Sequence, residues 1–329
     1  MAPPPPPPPS TALTRDAGVR LPVIGGAMYP CSNPELVAAI SRGGAIGIVQ
    51  PVSLTRVHGH EFREGLRYIR TLTDRPVGMN ALIEGSSKRY LEQMDRWVDV
   101  ALEEGIRFFV TSLGKPDRIA RTVQAAGGVV YHDVTERKWA LKAVESGVDG
   151  LIAVNRRAGG HPGPLDPEAL LESLADLGLP VVSAGGIGTP ADVRRVLELG
   201  YAGVQMGTRF IATPECTASD AYKEAILEAD ADDIVWSERI TGVPVSVIRT
   251  ETIERMGTSA GPLARRLLRH PRTKHWVRAW YTWRSMGTLS RSAMDPSADA
   301  YWQAGRSVDG IRRIEPVDTI LRNIEEALP

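Results

Sequence analysis

Three short glycine-containing segments carry the residues of this chain that are best suited to chemistry. They read Ala-Gly-Gly-His-Pro-Gly at 158–163, Ser-Ala-Gly-Gly-Ile-Gly at 183–188 and Val-Gln-Met-Gly-Thr-Arg-Phe at 204–210. The first places one imidazole, His161, in a loop without bulky side chains, so the backbone can approach a flat ligand and the ring can face it. The other two present glycine N–H groups that can hold a phosphate. Together they indicate a base beside a phosphorylated cofactor.

Each segment follows a short apolar run, and such runs recur with the spacing of βα units. The rhythm predicts parallel strands at residues 21–25, 45–49, 77–82, 108–112, 129–132, 151–154, 180–184 and 203–206. Helices are predicted between them at 34–41, 88–104, 115–126, 135–146, 167–175 and 190–199. The predicted fold is an α/β TIM (β/α)8 barrel with a C-terminal, mainly helical extension, and a doubly wound open sheet is the alternative. In a barrel, all three glycine segments lie at the carboxyl ends of strands, where barrel enzymes keep their active sites.

The same rhythm divides the chain into three predicted regions. Residues 1–14, which begin with a proline run, are predicted to form a disordered arm. Residues 15–235 are predicted to form the barrel and residues 236–329 the extension that packs on it. Within the extension, residues 265–284 carry seven basic side chains and no acidic one. We interpret this stretch as a solvated helical face, with a docking surface for an acidic or phosphate-bearing partner as the alternative.

Overall composition narrows the expected partners and location. The 39 basic and 39 acidic side chains cancel, so no net field favours nucleic acid and we expect a small-molecule substrate. Cys31 and Cys216 lie far apart in sequence without a CxxC motif, which argues against a disulfide framework or a zinc site. His58 and His60 lack the further ligands of a metal site. No apolar run has the length of a membrane span or a signal peptide, so we expect a cytoplasmic protein without a membrane partner.

The AGGHxG, AGGIG and QMGTRF elements, taken in combination, resemble those of the nitronate monooxygenase family, formerly called 2-nitropropane dioxygenases. Relatives of that family include FMN-dependent enoyl reductases of the FabK type and flavin-dependent quinone reductases. The resemblance covers residues 21–210 and resumes weakly at Tyr-Trp-Gln-Ala-Gly-Arg-Ser, 301–307. It implies an FMN oxidoreductase that oxidises alkyl nitronates or nitroalkanes with O2. His161 matches the family's catalytic histidine, which takes the α-proton from a neutral nitroalkane.

The resemblance also implies which residues hold the FMN. The phosphate would lie against the glycine turns at 185–186 and 207–208, and the ribityl chain against residues 205–206. Met28 would pack against the flavin plane, and the Asn80 amide would offer a donor and an acceptor to its pyrimidine side. The complete predicted set of cofactor-binding residues is Gly26, Ala27, Met28, Asn80, Gly159, Gly160, Ala184, Gly185, Gly186, Gln205, Met206, Gly207 and Thr208.

Two positions depart from the family pattern. Arg156 and Arg157 stand where many relatives have an acidic residue, and His132-Asp133 stands where some have a lysine after the histidine. We predict that the arginines attract an anionic substrate, either a nitronate or the phosphates of NAD(P)H or coenzyme A, with rim salt bridges as the alternative.

Two other functions stay open beside nitronate oxidation. One is an FMN-dependent NAD(P)H reductase of a quinone or of an enoyl thioester, carried on coenzyme A or acyl carrier protein. The other is a non-catalytic flavin-binding protein. With any of these functions, the chain could assemble as a homodimer.

Overall fold

Parallel strands close a barrel in chain order in the computed structural model, which describes residues 10–85, 87–259, 286–295 and 301–328. The eighth strand pairs with the first, with Val204 opposite Val23, so the sheet has no edge and the predicted TIM barrel is confirmed over an open sheet. The strands are β1 Val23–Gly25, β2 Ile46–Val49, β3 Val77–Ile83, β4 Phe108–Leu113, β5 Val129–Val134, β6 Gly150–Val154, β7 Val181–Ala184 and β8 Gly203–Met206.

Helices surround the barrel and cover its amino-terminal end. Their bounds are α1 Ala12–Ala17, α2 Pro34–Arg42, α3 Phe62–Leu72, α4 Lys88–Glu103, α5 Asp117–Ala125, α6 Arg137–Glu145, α7 Pro167–Leu174, α8 Pro190–Glu198, α9 Thr208–Ile211, α10 Asp220–Glu228, α11 Glu251–Met256, α12 at 286–294 and α13 Val317–Ala327. Among the described residues, none of these helices is long and apolar enough to cross a membrane.

Side chains alternate along each strand between the barrel interior and the helix layer. Phe108 and Tyr131 belong to the interior cluster, whereas Val204 and Met206 belong to the cluster under the helices. Because successive side chains of a strand point to opposite faces, Asp133 and Gln205 face inward. These inward positions at the carboxyl ends of the strands form the barrel mouth.

Helix α1 closes the opposite end of the barrel. Leu13 is fully buried in the interior cluster, and Asp16 accepts a hydrogen bond of 2.8 Å from the Tyr131 hydroxyl. The predicted disordered arm at 1–14 therefore extended too far. The proline-rich composition predicts a long arm, but a reciprocal capping box between Thr11 and Thr14 starts helix α1 within it.

Helix α13 completes the outer ring. It packs between α2 and α8, in the place of the helix that follows β8. Its buried side chains recur at three- and four-residue spacing, at Val317, Ile320, Leu321 and Ile324. We call the segment at 207–316, which lies in sequence between β8 and this helix, the insertion. Helix α13 belongs to the barrel ring, although it lies within the range 236–329 that is predicted to form an extension packing on the barrel.

The insertion has a small core of its own. Its hairpin, β9 Ile234–Ser237 and β10 Val245–Ile248, is antiparallel. Tyr29 from the loop after β1 packs on this core, so the insertion is anchored beside the barrel mouth. The core consists of Ile240, Val245, Val247, Ile253 and Leu289. The basic stretch 265–284 lies outside the described residues.

We expect Leu321→Ala to lower the free energy of unfolding by about 2–5 kcal/mol, because the side chain is buried and fills the space that a Gly43 side chain would need. Arg322→Ala is the matched control, since Arg322 only pairs with Asp318 on the surface of the same helix and should cost less than about 1 kcal/mol. Chemical denaturation of the three proteins measures both values. Equal midpoints for Leu321→Ala and the wild type would contradict the placement of α13 in the barrel ring.

Candidate active site

The loop after β6 carries His161 and is held by the insertion. The Gly160 carbonyl accepts a hydrogen bond of 2.7 Å from the Ser246 N–H in β10. The Arg157 carbonyl accepts one of 2.9 Å from the Arg306 N–H. A glycine-rich loop has high conformational freedom, so these two bonds fix the path along which the imidazole is presented.

The environment of His161 determines which ring nitrogen is free. Its Nε2 lies 3.2 Å from the Thr241 Oγ1, and the Thr241 hydroxyl donates its own proton to the Val243 carbonyl at 2.9 Å. Thr241 can therefore only accept from the ring, so Nε2 carries the proton and Nδ1 keeps its lone pair. His161 is exposed, yet desolvation by the surrounding protein lowers the pKa of its ring. The imidazole is thus neutral at neutral pH.

The turn after β7 is built to present backbone donors. Gly185 and Gly186 have φ angles of 119° and 75°, which side-chain-bearing residues rarely adopt. Within the described part of the chain, the N–H groups of Gly186 and Gly207 have no hydrogen-bond acceptor. The Thr208 hydroxyl accepts 3.0 Å from the Gly305 N–H, which leaves its proton for another acceptor. Unpaired donors converging from two adjacent turns can hold an anion such as a phosphate.

The other predicted cofactor residues gather around the same mouth. A Cβ on Gly26 would lie 3.1 Å from the Gln205 Cγ, and a Cβ on Gly207 would lie 3.4 Å from the Met28 sulfur. Ala27 and Ala184 pack with the interior cluster just below. The Asn80 amide donates to the Val110 carbonyl at 3.3 Å, and its oxygen accepts no hydrogen bond from the described residues.

One predicted cofactor contact needs correction. The side chain of Met206 is 1% exposed and lies under the helices, because it alternates with the inward-facing Gln205. Only its carbonyl, which accepts 2.9 Å from the Gly26 N–H, lies near the mouth. Gly159 is exposed, and a Cβ there would lie 3.0 Å from the Gly305 nitrogen, so its missing side chain makes room for the C-terminal segment of the insertion.

The two adjacent arginines have different environments. Arg156 is exposed and pairs with Asp166 at 3.4 Å, which is the rim salt bridge weighed as the alternative. Arg157 is half-buried, and its Nε lies 2.8 Å from the position of a Cβ on Gly186. No carboxylate of the described residues forms an ion pair with it. The sequence predicts that both arginines attract an anionic substrate, but their different environments do not support one role for both.

Asp133 is a candidate that sequence reasoning noted only as a departure from the family. Its Oδ1 is buried without a hydrogen-bond partner, and burial raises the pKa of the carboxyl to about 7. The sequence signal that could have identified Asp133 is an acidic residue at an inward position of an apolar strand. Its neighbour His132 faces the helices, where Thr111 Oγ1 lies 2.8 Å from Nδ1 and burial lowers the pKa to about 4. His132 is a neutral, structural histidine.

The remaining candidates do not contribute to the mouth. His58 Nε2 lies 3.1 Å from the Pro30 carbonyl oxygen, and His60 stacks on Tyr68. The cysteines are distant in sequence but adjacent in space, with the Cys216 thiol 3.6 Å from the Cys31 carbonyl, and both are free and buried. In the part of the chain that the structure describes, no cluster of histidine, cysteine or acidic side chains could hold a metal.

Comparison with known proteins agrees with this site. The family model of nitronate monooxygenase matches residues 10–326, so the chain belongs to the nitronate monooxygenase family of flavin-type oxidoreductases, as the three glycine elements predicted. Among solved structures, FabK from Thermotoga maritima has a TM-score of 0.79 at 25% identity, covering 97% of this chain and 96% of that chain.

Curated relatives of the chain have two kinds of name. A Rhodococcus jostii (strain RHA1) protein, 31% identical over 89% of this chain and 80% of its own length, is named (3aS,4S,5R,7aS)-5-hydroxy-7a-methyl-1-oxo-octahydro-1H-indene-4-carboxyl-CoA dehydrogenase. The nitronate monooxygenase of Pseudomonas aeruginosa is 31% identical over 65% of this chain and 72% of its own length. Both proteins are similar in sequence to this chain, whereas the substrates in their names differ.

The buried carboxyl of Asp133 should make stability depend on pH. Between about pH 4 and 7 the folded protein binds a proton that the unfolded chain releases, so its stability falls as pH rises. In the flavin-free protein, Asp133→Asn should therefore match the wild type near pH 4 and exceed it by about 1–3 kcal/mol at pH 8.

The test is chemical denaturation of the flavin-free proteins at both pH values. Asp74→Asn is the control, because that side chain is 94% exposed and should leave stability unchanged. A loss of stability in Asp133→Asn at pH 8 would mean that the carboxylate has a stabilising partner, contrary to the unpartnered Oδ1.

Proposed function

We propose that this protein is an FMN-dependent oxidoreductase that oxidises alkyl nitronates and nitroalkanes with O2, with His161 as the catalytic base. The observation that carries the proposal is the contact between the loop after β6, which bears His161, and the glycine turn after β7. A Cβ on Gly185 would lie 2.5 Å from the Ala158 nitrogen, so the two loops pack backbone against backbone. This packing supports a site in which the imidazole of His161 and the glycine turns act on one ligand.

The residues at the mouth fit FMN. Gly185, Gly186, Gly207 and Thr208 would hold the phosphate, while Gln205 and Asn80 would face the rest of the cofactor. The chain has no dinucleotide fingerprint for an adenosine half, which favours FMN over FAD. When bound, FMN supplies the redox chemistry by accepting electrons from the substrate and passing them to O2.

His161 provides the acid–base step. A neutral nitroalkane must lose a carbon-bound proton before it can be oxidised, and Nδ1 has the free lone pair to take it. Thr241 accepts from Nε2–H and keeps the ring in that tautomer. Because the pKa of His161 is lowered, the base should stay unprotonated at pH values somewhat below the ordinary titration range of histidine.

Oxidation or reduction of an acyl-CoA thioester is the second candidate. A thioester also has an acidic α-carbon, so the same base would serve, and the Rhodococcus jostii relative is named as a carboxyl-CoA dehydrogenase. Stopped-flow mixing under anaerobic conditions separates the candidates. Rapid flavin reduction by a saturated acyl-CoA would favour the dehydrogenase, and reduction by NAD(P)H the reductase. A colourless protein that does not take up FMN would favour a non-catalytic role.

In His161→Asn, turnover of a neutral nitroalkane should fall by about 10²- to 10⁴-fold, while oxidation of the preformed nitronate stays within about tenfold of the wild type. The nitronate has already lost its proton, so it serves as an internal control within one variant. Oxygen uptake with each substrate across pH measures both rates. For the wild type, the acidic limb with the neutral substrate should lie below the ordinary pKa of histidine, because desolvation lowers that of His161.

Thr241→Val is the companion variant. Loss of the acceptor that fixes the tautomer should lower nitroalkane turnover by about tenfold and again spare the nitronate. An equal loss on both substrates in His161→Asn would assign the residue to binding of substrate or flavin instead of proton removal.

A further inference from the structure

A cationic side chain that has no ion-pair partner among the described residues lies against the glycine turn that follows β7. The Arg157 side chain covers Gly186, with its Nε 2.8 Å and its Cδ 3.0 Å from the position of a Cβ on that residue. The positive φ of Gly186 and its missing side chain therefore allow this arginine to lie directly over the turn.

The backbone on both sides of Arg157 is fixed to the same turn. The Asn155 Oδ1 accepts 2.8 Å from the Arg157 N–H, and the Asn155 amide donates 3.0 Å to the Gly185 carbonyl. The Asn155 side chain thus connects the backbone of Arg157 to the glycine turn that the Arg157 guanidinium covers. The Arg306 N–H holds the Arg157 carbonyl from the opposite side. These bonds fix the backbone from which the Arg157 side chain extends over Gly186.

No described residue neutralises the charge of this arginine. Arg156 is exposed and paired with Asp166, whereas Arg157 is half-buried and forms no ion pair with the described residues. The N–H of Gly186, in the turn that the arginine covers, has no hydrogen-bond acceptor among the described residues, and neither has the N–H of Gly207 after the neighbouring strand β8. A half-buried cation over a turn with an unpaired N–H donor is complementary to an anion that carries more than one charge, and a guanidinium can bond two phosphate oxygens at once.

We propose that Arg157 binds the phosphate group of FMN, in place of the substrate role predicted from the sequence. The assignment rests on the proposed function, because it takes FMN as the ligand of the mouth. The guanidinium supplies the full positive charge that the glycine N–H groups lack. It would make the chain select FMN over riboflavin, which has the same ring and ribityl chain but no phosphate.

Binding of FMN and of riboflavin to the flavin-free protein, followed by quenching of flavin fluorescence, tests the assignment. In Arg157→Gln, the Kd for FMN should rise by about 10- to 100-fold, while the Kd for riboflavin changes by less than about threefold. Arg157→Lys, which keeps the charge, should recover part of the FMN affinity. Arg156→Gln is the matched control and should leave both constants within about threefold, because its charge is paired with Asp166 on the rim. Denaturation midpoints verify that each variant is folded.

Other outcomes would overturn the assignment. Equal weakening of FMN and riboflavin in Arg157→Gln would mean that the residue shapes the mouth without contacting the phosphate. Unchanged FMN binding, together with a higher KM for an acyl-CoA substrate, would return Arg157 to substrate recognition. If the wild type bound neither flavin, the proposed function itself would fail, and the assignment would fail with it. Wild-type binding of both flavins with an unchanged FMN constant in the variant would reject the assignment alone.

Discussion

The active site depends on one constraint, which is that the glycine-rich loop bearing His161 must be held by a part of the chain outside the barrel strands. The loop after β6 has little side-chain packing of its own, so its conformation would otherwise be costly to fix. The insertion provides the restraint through the Ser246 N–H to the Gly160 carbonyl and through Thr241 to the imidazole. Scaffold and base are thus supplied by separate stretches of sequence, and the base is oriented only when both are folded.

The barrel could be predicted from the sequence because each strand is a short apolar run, and the helices between the strands are recognisable from neighbouring residues alone. The position of α13 could not, since more than a hundred residues separate β8 from its helix and only the folded ring shows which gap that helix fills. The glycine turns were recognised, and the structure places them together. It was harder to predict which side chains of a strand face the barrel interior. The alternation along β8 decides that Gln205 enters the mouth and Met206 does not.

Two charged side chains distinguish this mouth from a generic flavin barrel. Asp133 brings a carboxyl group with an unpartnered buried oxygen to its inner wall, and Arg157 brings an unpaired guanidinium to its rim. The first is tolerated because burial raises the pKa of the carboxyl to about 7, so a large share of it is protonated at neutral pH. Both are positions where the sequence departs from the pattern that the family resemblance implies, so we expect this chain's ligand preference to depend on them.

The central claim is that a carbon acid or its anion, and not a nicotinamide, delivers electrons to a flavin in this mouth. Its most direct measurement is the absorption spectrum of the purified protein under anaerobic titration, first with an alkyl nitronate and then, in a separate sample, with NADPH. The account predicts a yellow protein whose visible flavin band is bleached by the nitronate and persists with NADPH. Bleaching by NADPH with no response to the nitronate would contradict it.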